Sequence, residues 1–237
     1  NPYDLAIGDL DCDGKPDIAV PTYSTNKVSV FHNTSTPGTI DTNSFATKVD
    51  FATRTNPTDV AIGDIDGDAK HDIAVAAYSS NTVSVFHNTS TPGTLDANSF
   101  ATKVDFLTGT NPFGIAMGDL DGDAKPDIAV VNFASNTLSV FRNTSTPGTI
   151  DTNSFATKID FATGSQPWSL SIGDLDGDTK PDIAVPNNGS DTVSLFHNQT
   201  FTGPVVTLTS FTPTSGNAGA SITLTGTNFD ATPANNT

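Results

Sequence analysis

The stretch GDLDGDAKPDIAV, Gly118 to Val130, places four aspartates within nine residues and then runs into an apolar strand. Asp119, Asp121, Asp123 and Asp127 stand at positions 1, 3, 5 and 9 of this loop. Like charges at alternate positions repel one another and destabilise a tight turn unless a cation sits among them. Alternate side chains in such a loop converge on one point, and the position-7 carbonyl of Lys125 adds a further oxygen. Hard oxygen donors in that number suit Ca²⁺, which takes six to eight of them, better than Mg²⁺ or a metal that prefers nitrogen and sulfur. Binding there would also staple the two strands that the loop joins. An EF-hand does not fit, because it needs flanking helices and a Glu at position 12, where Val130 stands here. The glycine-rich nonapeptide roll has a much shorter period.

The loop occurs four times, opening at Asp9, Asp64, Asp119 and Asp174, each 55 residues after the last. Pro2, Pro57, Pro112 and Pro167 keep the same step, as do Asn33, Asn88, Asn143 and Asn198. A fixed period of this size marks tandem units that bury their faces against their neighbours. All 26 acidic residues are Asp and none is Glu, which removes a strong helix former and predicts almost no helix. Within the second repeat, DVAIGD, HDIAVAA, NTVSVFHN and SFATKVDF read as four period-2 strands between Gly, Pro, Asn and Ser turns. The last of these puts Phe100, Thr102, Val104 and Phe106 on one face. Four antiparallel strands in about 50 residues match a β-propeller blade. The fourth repeat breaks off after three strands of its own. The composition then shifts to GPVVTLTSFTPTSGNAGASITLTGTNF, which reads as two strands of a sandwich, too short to close a core alone. The expected fold is therefore all-β: propeller blades over residues 1–202 and the start of an immunoglobulin-like sandwich over 203–237.

With DLDGDAKPDIAV set in a four-stranded repeat, the chain resembles the FG-GAP/VCBS family, the calcium-loop blades of integrin-type β-propellers. The resemblance implies up to four Ca²⁺ ions, one per repeat. In the first loop the ligands would be Asp9, Asp11, Asp13, Asp17 and the Lys15 carbonyl. In the second they would be Asp64, Asp66, Asp68, Asp72 and the Lys70 carbonyl, and in the third Asp119, Asp121, Asp123, Asp127 and the Lys125 carbonyl. In the fourth they would be Asp174, Asp176, Asp178, Asp182 and the Lys180 carbonyl. The family usually closes seven blades, whereas four are present. Cys12 replaces the glycine of the other loops (Gly67, Gly122, Gly177), and Gly14 stands where they carry Ala69, Ala124 and Thr179. The first site is accordingly expected to be distorted or weaker. The tail SFTPTSGNAGASITLTGTNF resembles the start of an IPT/TIG domain.

Solvated acidic turns would carry the same charges, but fourfold repetition at ligand spacing favours a metal. Four equivalent copies also argue against paired catalytic carboxylates, which need two different environments, and the chain is not expected to be an enzyme. His32, His87 and His197 share one repeat position with Arg142, a set that excludes a common metal role and reads as an exposed strand end. The single cysteine excludes a disulfide within the chain. A net charge of −16 argues against nucleic acid and anionic membrane surfaces, and no apolar run is long enough for a transmembrane helix. Tyr3, Phe113 and Trp168 follow the repeat proline where the repeats differ, and are candidate contacts for a ligand. Asn33, Asn88, Asn143, Asn188 and Asn198 open glycosylation sequons. The expected function is an extracellular, secreted or cell-surface module that binds a protein or glycan. Alternatives are a fibre subunit whose copies complete one another by strand pairing, and an accessory domain of a secreted hydrolase.

Overall fold

The computed structural model describes residues 1–199 together with two later strands, Thr207–Thr212 and Thr223–Thr227. Alternation of β-branched residues with small ones builds a meander in each repeat. The first sheet runs β1 (Ala6–Gly8), β2 (Asp17–Thr22), β3 (Lys27–Phe31) and β4 (Val49–Ala52) in that order, all antiparallel. The second holds β5 (Pro57–Gly63), β6 (Asp72–Ala77), β7 (Thr82–Phe86) and β8 (Val104–Leu107). The third holds β9 (Pro112–Gly118), β10 (Asp127–Asn132), β11 (Thr137–Phe141) and β12 (Ile159–Ala162). The fourth has three strands, β13 (Ser171–Gly173), β14 (Asp182–Asn187) and β15 (Thr192–Phe196). Among the described residues the only helix is a 3₁₀ turn at Tyr78–Ser80. The protein is all-β, with propeller-like blades. The chain divides into Asn1–Thr200 and Phe201–Thr237. In the second unit β16 (Thr207–Thr212) pairs with β17 (Thr223–Thr227) antiparallel; the rest of the IPT/TIG-like stretch lies outside the described residues.

The sheets pack face to face, and the period of two decides which residue serves which interface. Ile73 and Val75 of β6 turn toward the first sheet and join Val28, Val30 and Leu10. Ala74 and Ala76 turn the other way and meet Ile115, Ile128 and Val130 of the third sheet. Ala129 and Val131 then carry the stack on to Leu170, Ile183 and Val185 of the fourth. Every residue of β6 and β10 is buried, which explains their nearly continuous apolar sequence.

The fourth strand of each repeat departs from the even alternation of its sequence. Only Val104–Leu107 forms β8, while Phe100 makes an isolated bridge with Asn88. The break between them rotates the chain. Phe100 packs on Phe51 of the first sheet and Phe106 on Phe155 of the third, each ring pair 5.0 Å between centroids. The two phenylalanines thus serve opposite faces of one blade rather than the same face.

Truncation in a stacked interface leaves a cavity that the rigid strands around it do not fill. Ile128→Ala should therefore cost about 2–5 kcal/mol of unfolding free energy, measured by chemical denaturation. A loss below about 0.5 kcal/mol, the scale of a surface change, would contradict this packing.

Candidate metal centre

Each acidic loop joins the first two strands of a blade, so all four lie at the same end of their sheets. The loop is first organised by its own backbone. Asp64 Oδ1 accepts hydrogen bonds from the Gly67 and Asp68 amides at 2.8 and 3.1 Å, and Oδ2 accepts from Ala69 at 2.9 Å. Asp68 Oδ1 accepts from the Lys70 amide at 2.9 Å. The position-9 aspartate closes the loop: Asp72 Oδ2 accepts from Ile65 N at 2.9 Å and Oδ1 from Asn88 N at 2.8 Å. Asp17, Asp127 and Asp182 make the same two bonds in the other blades.

The structure brings the acids of each loop together. Oxygens of Asp9, Asp11 and Asp13 lie within 4.8 Å of one another, as do those of Asp64, Asp66 and Asp72. At position 3, Asp11 and Asp66 are fully or almost fully buried, and the Oδ2 atom of each accepts no hydrogen bond among the described residues, its near neighbour being a histidine Nε2. Leaving a buried carboxylate oxygen unpaired is costly, and a cation is what such an atom accepts. The donor set is therefore suited to a hard divalent ion. The position-7 side chains stay out of two clusters, since Lys70 Nζ and Lys125 Nζ donate to the Ser90 and Ser145 carbonyls at 2.9 and 2.7 Å. Those of Lys15 and Lys180 lie 3.6 and 3.5 Å from Asp13 and Asp178.

The basic residues at the end of the third strands belong to this site, which the sequence reading missed. His32, His87 and His197 place Nε2 at 3.0, 3.1 and 2.9 Å from Oδ2 of Asp11, Asp66 and Asp176. Arg142 fills the same place in the third blade, 3.9 Å from Asp121. What the four positions share is a basic side chain beside the position-3 carboxylate, and three of them place a histidine nitrogen within reach of a candidate metal cluster. The signal was present as a column of basic residues with one period.

The first loop keeps the backbone of the others despite its exchanged glycine. Cys12 adopts φ 57° where Gly67 has 73°, and Gly14 adopts 85° where Ala69 has 68°. Both positions are left-handed in every loop, so the expected distortion reduces to strain at Cys12. One hydrogen bond is also lost: the Gly67, Gly122 and Gly177 amides bond their position-1 aspartates, and Cys12 has no counterpart among the described bonds.

The remaining candidates lie elsewhere. Tyr3, Phe113 and Trp168 meet at the opposite end of the sheets, with ring centroids 5.8 Å apart for Tyr3 and Phe113 and 3.9 Å for Phe113 and Trp168. Tyr23, Tyr78 and Phe133, from the turns between second and third strands, join the same cluster. Together with Asp4, Thr58, Asp59 and Ser169 the three candidates line a cavity of about 100 Å³, and Tyr3 and Trp168 remain exposed. Three of the sequon asparagines are buried: Asn33, Asn88 and Asn143. Asn88 Nδ2 donates to the Leu10 and His71 carbonyls and Asn143 Nδ2 to those of Ile65 and Pro126. These amides are pegs within and between blades, and a glycan on them is incompatible with the fold. Asn188 is exposed, and Asn198 donates to the Leu120 and Pro181 carbonyls.

A family model for the FG-GAP-like repeat matches residues 9–75, 67–130 and 126–185, and one for the FG-GAP repeat matches 167–208. No curated protein matches the chain. Among solved structures, BBS1N in complex with ARL6DN is similar over 81% of this chain and 52% of that one, at 12% identity and a TM-score of 0.48. The V. cholerae biofilm matrix protein Bap1 is similar over 88% of this chain and 33% of that one, at 15% identity and a TM-score of 0.47. The chain thus spans about half the length of the first and a third of the second.

Two measurements probe the loops. A non-glycine residue in the left-handed region costs about 1 kcal/mol, so Cys12→Gly should raise Tm by about 2–4 °C. An unchanged or lower Tm would remove the strain assigned to Cys12. The second is pH dependence in chelator. Burial pushes the Asp72 carboxyl up to about 8 and Asp127 up to about 6, and burial also raises Asp59. A raised acid keeps its proton in the folded chain at pH values where the unfolded chain, with an ordinary value near 3.8, has lost it. Stability present at low pH is then lost as pH climbs through the folded values. Tm in chelator should fall between about pH 5 and 8, and a rise over that window would contradict the burial of these groups.

Proposed function

The chain belongs to the FG-GAP-like repeat family, and from that premise we propose that it is an extracellular, calcium-binding propeller-type module whose work is binding rather than catalysis. The observation that carries the metal reading is the convergence of carboxylate oxygens within each loop, with the buried Asp11 Oδ2 and Asp66 Oδ2 accepting no hydrogen bond and meeting only a histidine nitrogen. The aspartates at positions 1, 3, 5 and 9 of each loop would hold one Ca²⁺, with the position-7 backbone carbonyl as a further donor. The ion supplies charge neutralisation and a cross-link between the first two strands of its blade. Loops of this kind fill at the roughly millimolar calcium found outside cells. Protein and glycan ligands fit the opposite end, where Tyr3 and Trp168 offer exposed ring surface beside Phe113. Separation of the two ends leaves the calcium loops to hold the blades while the aromatic end meets the partner.

Loss of the ligands should matter only when the ion is present. Asp121→Ala combined with Asp123→Ala should lower Tm by several degrees in millimolar calcium and change it little in chelator, read by calorimetry. An equal loss in both conditions would make these aspartates turn-forming residues and sink the calcium assignment.

A further inference from the structure

The loop donors for calcium are all oxygen, yet three of the loops also face a nitrogen. His87 follows the third strand of its blade and lies against the acidic loop between the first two. Its Nε2 is 3.1 Å from Asp66 Oδ2 and 3.7 Å from Asp68 Oδ2. Both aspartates give their other oxygen to the loop backbone. Asp66 Oδ1 accepts from the Asp68 amide at 3.3 Å and Asp68 Oδ1 from the Lys70 amide at 2.9 Å. The two Oδ2 atoms and the imidazole nitrogen are thus grouped on one side. The first and fourth blades repeat this triad. His32 Nε2 lies 3.0 and 3.7 Å from Asp11 and Asp13, and His197 Nε2 2.9 and 3.9 Å from Asp176 and Asp178. Their Oδ1 atoms accept the same loop amides.

A simple ion pair at 3.0 or 3.1 Å would be hydrogen-bonded. Here Oδ2 of Asp11 and Asp66 and Nε2 of His32 and His87 are all buried, and none of the four makes a hydrogen bond. Nitrogen and oxygen lie beside each other, as ligands around a common point do. Donors of a tetrahedral ion with bonds of about 2.0–2.1 Å stand about 3.3 Å apart. The distances of 3.1 and 3.7 Å in the second blade bracket that spacing. Imidazole nitrogen suits zinc and its neighbours, whereas calcium takes oxygen. In the third blade Arg142 stands 3.9 Å from Asp121, and a guanidinium, always charged, has no lone pair to offer a metal. Arg142 excludes one role for all four loops but not a role shared by the three histidines. The second blade is the cleanest case, because Lys70 Nζ turns away to the Ser90 carbonyl. Lys15 and Lys180 approach their position-5 carboxylates at 3.6 and 3.5 Å.

We infer that the first, second and fourth loops form mixed nitrogen–oxygen sites for a zinc-class divalent ion. The ligands of each are the position-3 and position-5 carboxylates and the histidine Nε2; the third loop stays an oxygen-only site. The inference rests on the reading of the loops as divalent-ion sites, but not on the ion being calcium. Both donor sets use the same two carboxylates, so zinc and calcium compete for a loop. A histidine ligand also ties the end of the third strand to the loop between the first two, a link that the loop oxygens alone do not make.

The chain has four histidines, so each imidazole can be followed by nitrogen NMR while Zn²⁺ is added to chelator-stripped protein. The Nε2 resonances of His32, His87 and His197 should move together, with His71, outside the three triads, as the reference. Calorimetry should count one zinc ion fewer in His87→Gln and one more in Arg142→His. Arg142 is largely exposed, so its variant should keep the parent's circular dichroism. Zinc taken up while the three imidazoles stay still is adsorption on an acidic surface and overturns the inference. So does an Arg142→His chain that gains no ion. A calcium titration of the parent separates the two readings. Calcium binding with unmoved imidazoles in zinc removes this inference and keeps the calcium reading, and moved imidazoles without calcium binding do the reverse. No binding of either ion removes both.

Discussion

The buried aspartate at the end of each acidic loop is the constraint on which the remaining structure depends. Asp72 sits fully buried among apolar strands and is tolerated there because both oxygens accept backbone amides, Ile65 on the loop and Asn88 beyond the third strand. One side chain thereby ties the start of the loop, the second strand and the end of the third. Asn88 then extends the tie, since its side chain donates across to the Leu10 carbonyl of the preceding blade. A carboxylate removed from water this way favours its protonated form, as the raised value of Asp72 reflects, unless positive charge is brought near. The acidic loop, the blade and the blade-to-blade register are therefore one connected piece of chemistry. A second set of acids marks the contrast. Asp50, bonded by Lys48 two residues before it and by Ser29 on the neighbouring strand, is held well below the usual carboxylate range because its cation is built into the chain.

Stacking of like units explains why sequence-similar strands have different fates. The central blades are covered on both sides, and their first strands run for seven residues, β5 and β9. Among the described residues the outer blades are covered on one side, and β1 and β13 shorten to three residues with a single bridge beyond them. The stack also separates two chemistries. Antiparallel strands return every loop of one kind to one end, so carboxylates and basic residues collect at one end and tyrosines, phenylalanines and a tryptophan at the other. That separation keeps the charge-dense loops away from the surface proposed to meet a ligand.

Much of this was legible from the residues alone, and the parts that were share a physical character. The 55-residue period, the alternation of Ile73 and Val75 with Ala74 and Ala76, and the acids at alternate positions all express local rules of backbone geometry. They determined the four meander sheets, the loop between first and second strands and, among the described residues, the near absence of helix and the three strands of the last repeat. Tertiary structure alone decided what depends on residues brought together from 16 to 80 positions away. It set His32 and His87 beside the position-3 aspartates, turned the sequon asparagines inward as pegs, and sent Phe100 and Phe106 to opposite faces. It also gave Cys12 a glycine's conformation, because the loop's hydrogen bonds and its anchoring strands outweigh one residue's preference. Alternation tells a side chain which face of a sheet it occupies; only the neighbouring sheet decides whether that face is covered.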